Sequence, residues 1–323
     1  MPAFAAKQMA QWLYAKRVTS ISEMTNISLR HREALEQEYE IGREAPIEAV
    51  RSVDGTVKYL FQVGTAGAVE SVYIPSEDGE RATLCVSSQV GCKMNCLFCM
   101  TGKQGFTAHL TAAQILNQVL SIPEADTLTN VVLMGMGEPF DNIGQVLRAL
   151  TLMTADYALA WSPKRITVST VGIMRGLRRF LDESECHLAI SLHNPFHEER
   201  REIMPIEKAY PIREVTDILR RYDFTGQRRV SFEYIVMEGL NDSPKHIKEL
   251  CRLLDGIRCR INLIRFHKIP DSPYFSPSDE KMTAFRDTLS AKGIQTTIRA
   301  SRGEDIKAAC GLLSTAEQNK ENA

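Results

Sequence analysis

An α/β protein built on parallel strands is what this sequence predicts, on two observations. Past Arg81, short apolar segments of strand composition alternate with amphipathic segments of helical period, the signature of βαβ units. The glycine-rich and polar clusters that interrupt this pattern fall at the C-terminal ends of the strands, where ligands gather in such folds. Six strands with crossovers leave two architectures open, an open (β/α)6 partial barrel and a doubly wound sheet. With 323 residues, 44% hydrophobic and 24% charged, the chain can bury one large core and carry a small appendage.

Residues 1–45 read as a small helical domain. Phe4, Met9, Trp12 and Leu13 make an apolar stripe, and Ser28 is the expected N-cap of a second helix carrying Leu29 and Leu35. The chain opens almost inside its first helix, so either this domain is minimal or its start has been lost. Residues 46–80 change to an antiparallel β-meander: strands at 49–52, 57–63 and 70–74, with Asp54-Gly55 as a type I′ hairpin signal and a turn at 76–80 that separates the meander from the core.

The core spans 81–303. Its strands are expected at 82–87, 130–135, 165–169, 187–192, 229–236 and 260–266, with helices at 111–122, 142–155, 173–182, 212–222 and 243–255 between them. A helix at 278–291 and a strand at 295–298 complete it. In 304–323, Gly303 and Gly311 bracket a run ending in Cys310, which predicts a mobile segment. The polar tail from Ser314 to Ala323 is expected to be disordered.

Charge and hydropathy exclude some function classes. A net charge of −1 and a pI of about 6.7 give no wholesale electrostatic grip on nucleic acid. The basic pairs Lys164-Arg165, Arg178-Arg179, Arg200-Arg201 and Arg228-Arg229 leave room for a local patch, although such a pair alone is more often a solvated face. No apolar run reaches the roughly 18 residues of a membrane span, and no signal-peptide core is present. A cytoplasmic protein with reduced thiols is therefore expected.

The chemistry centres on Cys92, Cys96 and Cys99, a C-x3-C-x2-C triplet. Three thiolates at this pitch suit a [4Fe–4S] cluster, wrapping three corners and leaving one iron open. Structural zinc would ask for four ligands, and the nearest histidine, His109, is badly placed. At the other strand ends stand residues 135–139, 169–172 and 191–194, with Asn262 in the sixth strand. On their own, Cys85 reads as a buried strand cysteine and Cys310 as a small residue in a turn. Cys186, Cys251 and Cys259 read as packing residues.

The triplet, with Phe98 before its last cysteine, resembles the radical S-adenosylmethionine superfamily, and Gly137-Glu138-Pro139 resembles that superfamily's GEP element. More narrowly, LCVSSQVGC, C-x-F-C-x-T-G, MGMGEP, SLHNP, FEYIVMEGLND and RGEDIKAACG resemble the motifs of the dual-specificity 23S rRNA/tRNA adenine-C2 methyltransferases, the RlmN family, as do PAFAAKQMAQWLY and SISEMTNIS at the start. The resemblance implies the open (β/α)6 partial barrel, with Cys92, Cys96 and Cys99 holding the cluster and S-adenosylmethionine on its fourth iron. It carries cofactor contacts onto Gly137, Glu138, Ser169, Ser191, Leu192, His193 and Asn262, a transiently methylated cysteine onto Cys310, its disulfide partner onto Cys85, and an acidic proton acceptor onto Glu70, with Cys85 and Glu70 competing as base. It implies rRNA and tRNA substrates, an electron donor such as flavodoxin, and a monomer. Met100 stands where the family more often has a small residue, and the chain starts later than usual. Rival readings are C8 methylation of the same rRNA adenosine, as in Cfr-type enzymes, a radical enzyme acting on peptides or small molecules, and a zinc-bearing RNA-binding protein.

Overall fold

The computed structural model describes residues 4–226 and 228–315; the tail from residue 316 onward lies outside the described residues. Twelve strands form: β1 Glu48–Arg51, β2 Val57–Gln62, β3 Ala68–Pro75, β4 Ala82–Cys85, β5 Gln89–Gly91, β6 Phe106–His109, β7 Asn130–Leu133, β8 Ile166–Thr170, β9 His187–Ser191, β10 Val230–Val236, β11 Cys259–Arg265 and β12 Gln295–Ile298. The helices are α1 Ala5–Ala10, α2 Leu29–Glu38, α3 Met100–Gln104, α4 Ala112–Leu120, α5 Ile143–Thr154, α6 Met174–Glu183, α7 His197–Ile203, α8 Ile212–Leu219, α9 Pro244–Leu254 and α10 Asp279–Ala291.

Ten strands make one sheet in the order β1-β2-β3-β4-β7-β8-β9-β10-β11-β12. From β4 onward every neighbour is parallel. Each new strand is added on the same side of the last, so the order never reverses. A doubly wound sheet has such a reversal, and its absence selects the open partial barrel. The predicted strand at 295–298 joins the same sheet as a seventh parallel strand. Apolar residues are buried all along β9 and β10, where Leu188, Ala189, Ile190, Phe232, Tyr234 and Val236 have no exposure, as expected of strands covered on both faces. Thr111 starts α4 through a reciprocal capping box with Gln114, and Pro244 opens the first turn of α9 after Ser243.

The meander is not a separate layer. β3 pairs antiparallel with β4, Val72 opposite Cys85, so β1-β2-β3 continue the sheet past its first parallel strand. The turn at 76–80 therefore connects paired strands and does not divide the chain. The hairpin at Asp54-Gly55 also departs from expectation. A type I′ turn needs positive φ at both residues, and only Gly55 has it. Asp54 instead folds its carboxylate over the turn, accepting the N–H of Thr56 at 2.9 Å and that of Gly303 at 2.9 Å. Its partner at Gly303 is invisible to local sequence.

The N-terminal helices keep a small core of their own around Ala5, Val18, Ile21, Met24 and Ile27. Ser28 precedes α2 but its hydroxyl meets His31 Nδ1 and caps no backbone N–H. Arg43 ties this unit down by donating to the carbonyls of Arg17 and Leu13. Among the described residues no helix is long and apolar enough to cross a membrane.

Candidate active site at the strand ends

After Cys85 the chain does not run straight into the cysteine loop. Ser87, Ser88 and Gln89 are buried polar residues, and each of the outer two ties the first strand end to the second. Ser87 Oγ accepts the N–H of Met136 at 2.8 Å, and Gln89 Oε1 accepts the N–H of Glu138 at 2.7 Å while its amide donates to Asp141 at 2.8 Å. Gly137 lies on Gln89 with φ +96°, and a Cβ there would sit 2.5 Å from that of Gln89, so glycine is required by conformation and by space.

The short β5–β6 hairpin then carries the loop. Cys92 N–H donates to Gly105 at 2.9 Å, Leu97 N–H to Ile203 at 3.0 Å, and Met100 N–H to Gly311 at 2.8 Å. Cys92, Cys96 and Cys99 line one open cleft of about 820 Å³ together with Gly137, Glu138, Ser169, Ser191, His193 and Cys310. Burial pushes the Cys92 thiol up to about 12 and that of Cys96 well above its ordinary value, and neighbouring cysteines add to both. Two buried thiols and the half-buried Cys99, which repel one another when ionised, call for a positively charged body between them. Among the described residues no three His, Cys, Asp or Glu side chains converge closely enough to share a single ion. This donor set fits a [4Fe–4S] cluster held at three corners and does not fit four-coordinate zinc.

The remaining walls are polar groups fixed from behind. Burial pushes Glu138 up to about 7 against three donors, the hydroxyl of Thr170 at 2.6 Å and the N–H groups of Val171 at 2.9 Å and Phe140 at 3.0 Å. His193 sits in the left-handed region with φ +54°. Burial, and then Arg200, depress its imidazole to about 3, so it is neutral. Its Nδ1 accepts the N–H of Ile235 at 3.0 Å, which leaves Nε2 as the protonated nitrogen. Phe98 meets its ring edge-on at 4.7 Å.

Arg200, on α7, is fully buried beneath this wall. It donates to the carbonyls of Ser191 at 2.8 Å, Leu192 at 2.9 Å and Val171 at 3.2 Å, and pairs with the equally buried Glu207. Burial lowers its pKa, and Glu207 offsets part of that effect.

A second cleft of about 850 Å³ adjoins the first, and Cys99, Arg299 and Cys310 line both. Cys85 lines this second cleft, at the end of β4. Burial, and then Cys310, push its thiol up to about 12, partly opposed by Arg299. Arg299 follows β12 directly. Burial opposes its charge, but Cys310, Glu233 and Cys85 outweigh burial and hold the proton. Its Nη1 lies 3.5 Å from Glu233 Oε2 and 3.3 Å from Met134 Sδ.

Cys310 is exposed at the partition between the clefts, and its segment is pinned, contrary to the mobility its glycines suggest. Gly303 is held by Asp54, and Asp305 accepts the hydroxyl of Ser52 at 2.6 Å and the N–H of Val53 at 3.2 Å. Thr101 donates to Leu313 at 2.7 Å, and Ser314 N–H donates to Glu70 Oε2 at 2.8 Å. Gly311 has φ +86°, and a Cβ on it would come within 2.9 Å of the Phe98 carbonyl. The tail expected to be disordered from Ser314 is thus ordered through Thr315, which is fully buried.

Three sequence candidates are not in either cleft wall. Glu70 faces Lys58, 2.9 Å away, in a small hollow with Glu48 and Leu60, and burial raises its pKa against that lysine. Leu192 is wholly buried and takes part through its carbonyl. Asn262 donates to Glu233 Oε1 at 2.8 Å, and it is Glu233 that reaches the first cleft. All eight cysteines, Cys85 and Cys310 included, are free, so the implied disulfide is not present in this state.

Arg299, Glu233 and Arg200 escaped the sequence reading. A carboxylate inside the apolar run Phe232–Val236 was the available signal for Glu233, and an arginine directly after a strand the signal for Arg299.

Residues 86–254 match the family profile described as the radical SAM superfamily, and residues 2–41 match that of the ribosomal RNA large subunit methyltransferase N-terminal domain. A probable dual-specificity RNA methyltransferase RlmN of Bacteroides fragilis is 65% identical over 322 residues, covering 100% of this chain and 93% of its own. The dual-specificity RNA methyltransferase RlmN of Marinobacter nauticus is 43% identical, covering 96% and 86%. A crystal structure of a radical SAM methyltransferase from Sphaerobacter thermophilus superposes with a TM-score of 0.88 at 38% identity, covering 97% of this chain and 93% of that one. Sequence, fold and strand-end cysteines agree that the chain belongs to the RlmN family of radical S-adenosylmethionine RNA methyltransferases.

Proposed function

We propose that the protein methylates C2 of an adenosine in 23S rRNA and in the tRNA anticodon loop, through a methyl group carried on Cys310, using two molecules of S-adenosylmethionine per turnover. The observation that carries this reading is that Cys85 and Cys310, distant in sequence, line one cleft with Arg299, and that Cys310 also lines the cleft of the three cluster cysteines.

Adenine C2 lies between two ring nitrogens and is too electron-poor to attack a sulfonium methyl. A [4Fe–4S] cluster on Cys92, Cys96 and Cys99, with S-adenosylmethionine on its open iron, would supply the carbon-radical chemistry such a carbon needs. Gly137, Glu138, Ser169, Ser191 and His193 hold the polar groups of the cofactor, while Leu192 and Asn262 act through the carbonyl fixed by Arg200 and through Glu233.

Cys310 acts first as a nucleophile, which requires its thiolate; Arg299 lines the same two clefts. After carbon–carbon bond formation, the Cys85 thiolate attacks the Cys310 sulfur; the carbon–sulfur bond breaks with its electron pair passing to the adenine-bound carbon, which takes up a proton to become methyl, and a transient disulfide remains. Of the two candidate bases for the C2 proton, Cys85 lines the cleft, whereas Glu70 is engaged by Lys58 and Ser314. The reading is completed by a cytoplasmic location with the RNA, a one-electron donor protein such as a flavodoxin, and a monomeric enzyme.

The test is mass spectrometry of RNA from a strain lacking the modification, complemented with this gene. Expected are 2-methyladenosine with the natural sequence, none with Cys310→Ala, and a covalent protein–RNA adduct with Cys85→Ala. Only 8-methyladenosine would overturn the ring position. No modified adenosine and no adduct, despite an intact cluster, would overturn RNA methylation.

A further inference from the structure

The pole of the sheet opposite the clefts, where the strands begin, carries a row of uncompensated cations. Thr167 pairs with His187, Leu188 with Val230, and Val230 with Cys259. His187, Arg229 and Arg258 therefore occupy one lateral row. Lys164 and Arg165 flank it ahead of β8, and Arg260 flanks it on β11. Strands are about 4.8 Å apart, so the cations at the starts of β8, β10 and β11 lie across about 14 Å of surface.

Lys164, Arg165, Arg229 and Arg258 are exposed and Arg260 is half-buried. Some arginines elsewhere are answered by carboxylates, Arg179 by Glu183, Arg213 and Arg252 by Glu249, Arg286 by Asp287, while exposed Arg81, Arg148 and Arg175 stand singly and not in a row. Here, among the described residues, none of the five cations has a carboxylate within ion-pair distance. Two nearby acids are engaged elsewhere, Glu185 3.7 Å from Arg228 and Asp182 on the hydroxyl of Tyr222, while Asp223, bonded to Thr225, feels the charge of Arg258 without forming an ion pair with it. His187 registers the local field, since burial first, and then Arg229, Arg260, Lys164 and Arg228, depress its imidazole to about 4. Like charges on neighbouring strands destabilise a sheet. In a chain of net charge −1 an unanswered row is a feature that a polyanion would relieve.

We propose that this pole binds the phosphodiester backbone of a large folded RNA, as a second holding point for the molecule whose adenosine enters the thiol clefts. The inference rests on the RNA-methylating reading. β10 is seven residues long and rises about 23 Å from this pole to the site, so an RNA must reach beyond that span to engage both ends, which a large rRNA fragment does and a hairpin of a few base pairs does not. Phosphate contacts carry no sequence information, and the second point contributes affinity without base preference.

The experiment compares the natural protein with the triple variant Arg165→Gln, Arg229→Gln, Arg258→Gln, all exposed positions. Binding is measured over a range of salt to a long fragment of large-subunit rRNA and to a short hairpin bearing the same target adenosine. On the long RNA the variant is expected to lose about two to three from the slope of log affinity against log salt, and at least tenfold in affinity near 0.1 M salt. Hairpin affinity and turnover stay unchanged, and the corresponding triple arginine-to-lysine variant restores long-RNA binding. An unchanged slope on the long RNA overturns the proposal, as does an equal loss on both RNAs. If the natural protein methylates neither RNA, the RNA-methylating reading itself fails, an outcome distinguishable from an unchanged slope.

Discussion

Replacing Asp54 by alanine tests whether Cys310 is positioned for Cys85 or merely tethered near it. The Asp54 carboxylate receives N–H bonds from Thr56 and Gly303, both at 2.9 Å. A hydrogen bond to a carboxylate contributes about 1.5–3 kcal/mol. Asp54 is partly solvated, so about 1–1.5 kcal/mol is the appropriate share for the Gly303 contact, close to a factor of ten. The assay is the equilibrium between the dithiol and the Cys85–Cys310 disulfide in glutathione buffers, trapped by alkylation and read by mass. The effective concentration of one thiol at the other should fall about tenfold in Asp54→Ala, further with Asp305→Ala added, and by less in Asp54→Asn, which keeps a neutral acceptor. Burial pushes the Asp54 carboxyl up, but the donors outweigh it and hold it at about 2. Its folded pKa lies below the unfolded value, so its contribution is complete above about pH 4 and is lost as pH falls towards 2. An unchanged disulfide equilibrium in the double variant would refute the idea that this turn sets the position of Cys310.

Other variants probe the walls of the site. Glu207→Gln leaves Arg200 buried without its partner, which should cost about 3–5 kcal/mol and lower the melting temperature by at least about 4 °C; a smaller drop would mean that the carbonyls of Val171, Ser191 and Leu192 suffice to hold the arginine. Glu138 has a folded pKa raised to about 7, so its contribution is greatest while the carboxyl is protonated and declines as pH rises from about 4.5 through 7. The cofactor-free natural protein should accordingly lose up to about 3 kcal/mol relative to Glu138→Gln between pH 4.5 and 8, and parallel melting curves across that range would show that the three donors already satisfy the anion. Arg299 partly opposes the effect of burial on the Cys85 thiol, so Arg299→Met should slow alkylation of Cys85 by iodoacetamide by roughly tenfold, with Arg299→Lys recovering most of the rate; equal rates in all three proteins would remove Arg299 from thiolate stabilisation.

Much of the fold was legible because it rests on local regularities. β9 and β10 are apolar runs with polar punctuation, and α4, α9 and α10 carry caps that can be read directly. The parts that could not be read depend on distant partners. β5 is three residues long, polar in part, and exists because Gln89 is buried against the next strand end. α7, with the sequence HEERREI, looks like a solvated helix, yet Arg200 within it is wholly buried. The Asp54 turn departs from its local signal because its carboxylate answers a residue near the other end of the chain. At the site, the resemblance located the cysteines and the Glu138 motif through short, contiguous patterns. It gave no hint that Glu70 and Asn262 stand behind other side chains, nor that Arg299 joins the two thiols, because those relations arise only when strands are laid side by side.

The contact between Gln89 and Gly137 bears on how such a sequence can change. Gln89 secures the backbone of Glu138 and fills the space a side chain at position 137 would need, so the two positions share one volume and one set of hydrogen bonds. Neither can vary alone without damage, and a double-mutant cycle across them should be strongly non-additive. The motifs that hold them, one beside the Cys92, Cys96 and Cys99 triplet and one in the turn after β7, would drift as a single unit across relatives even though they are far apart in sequence.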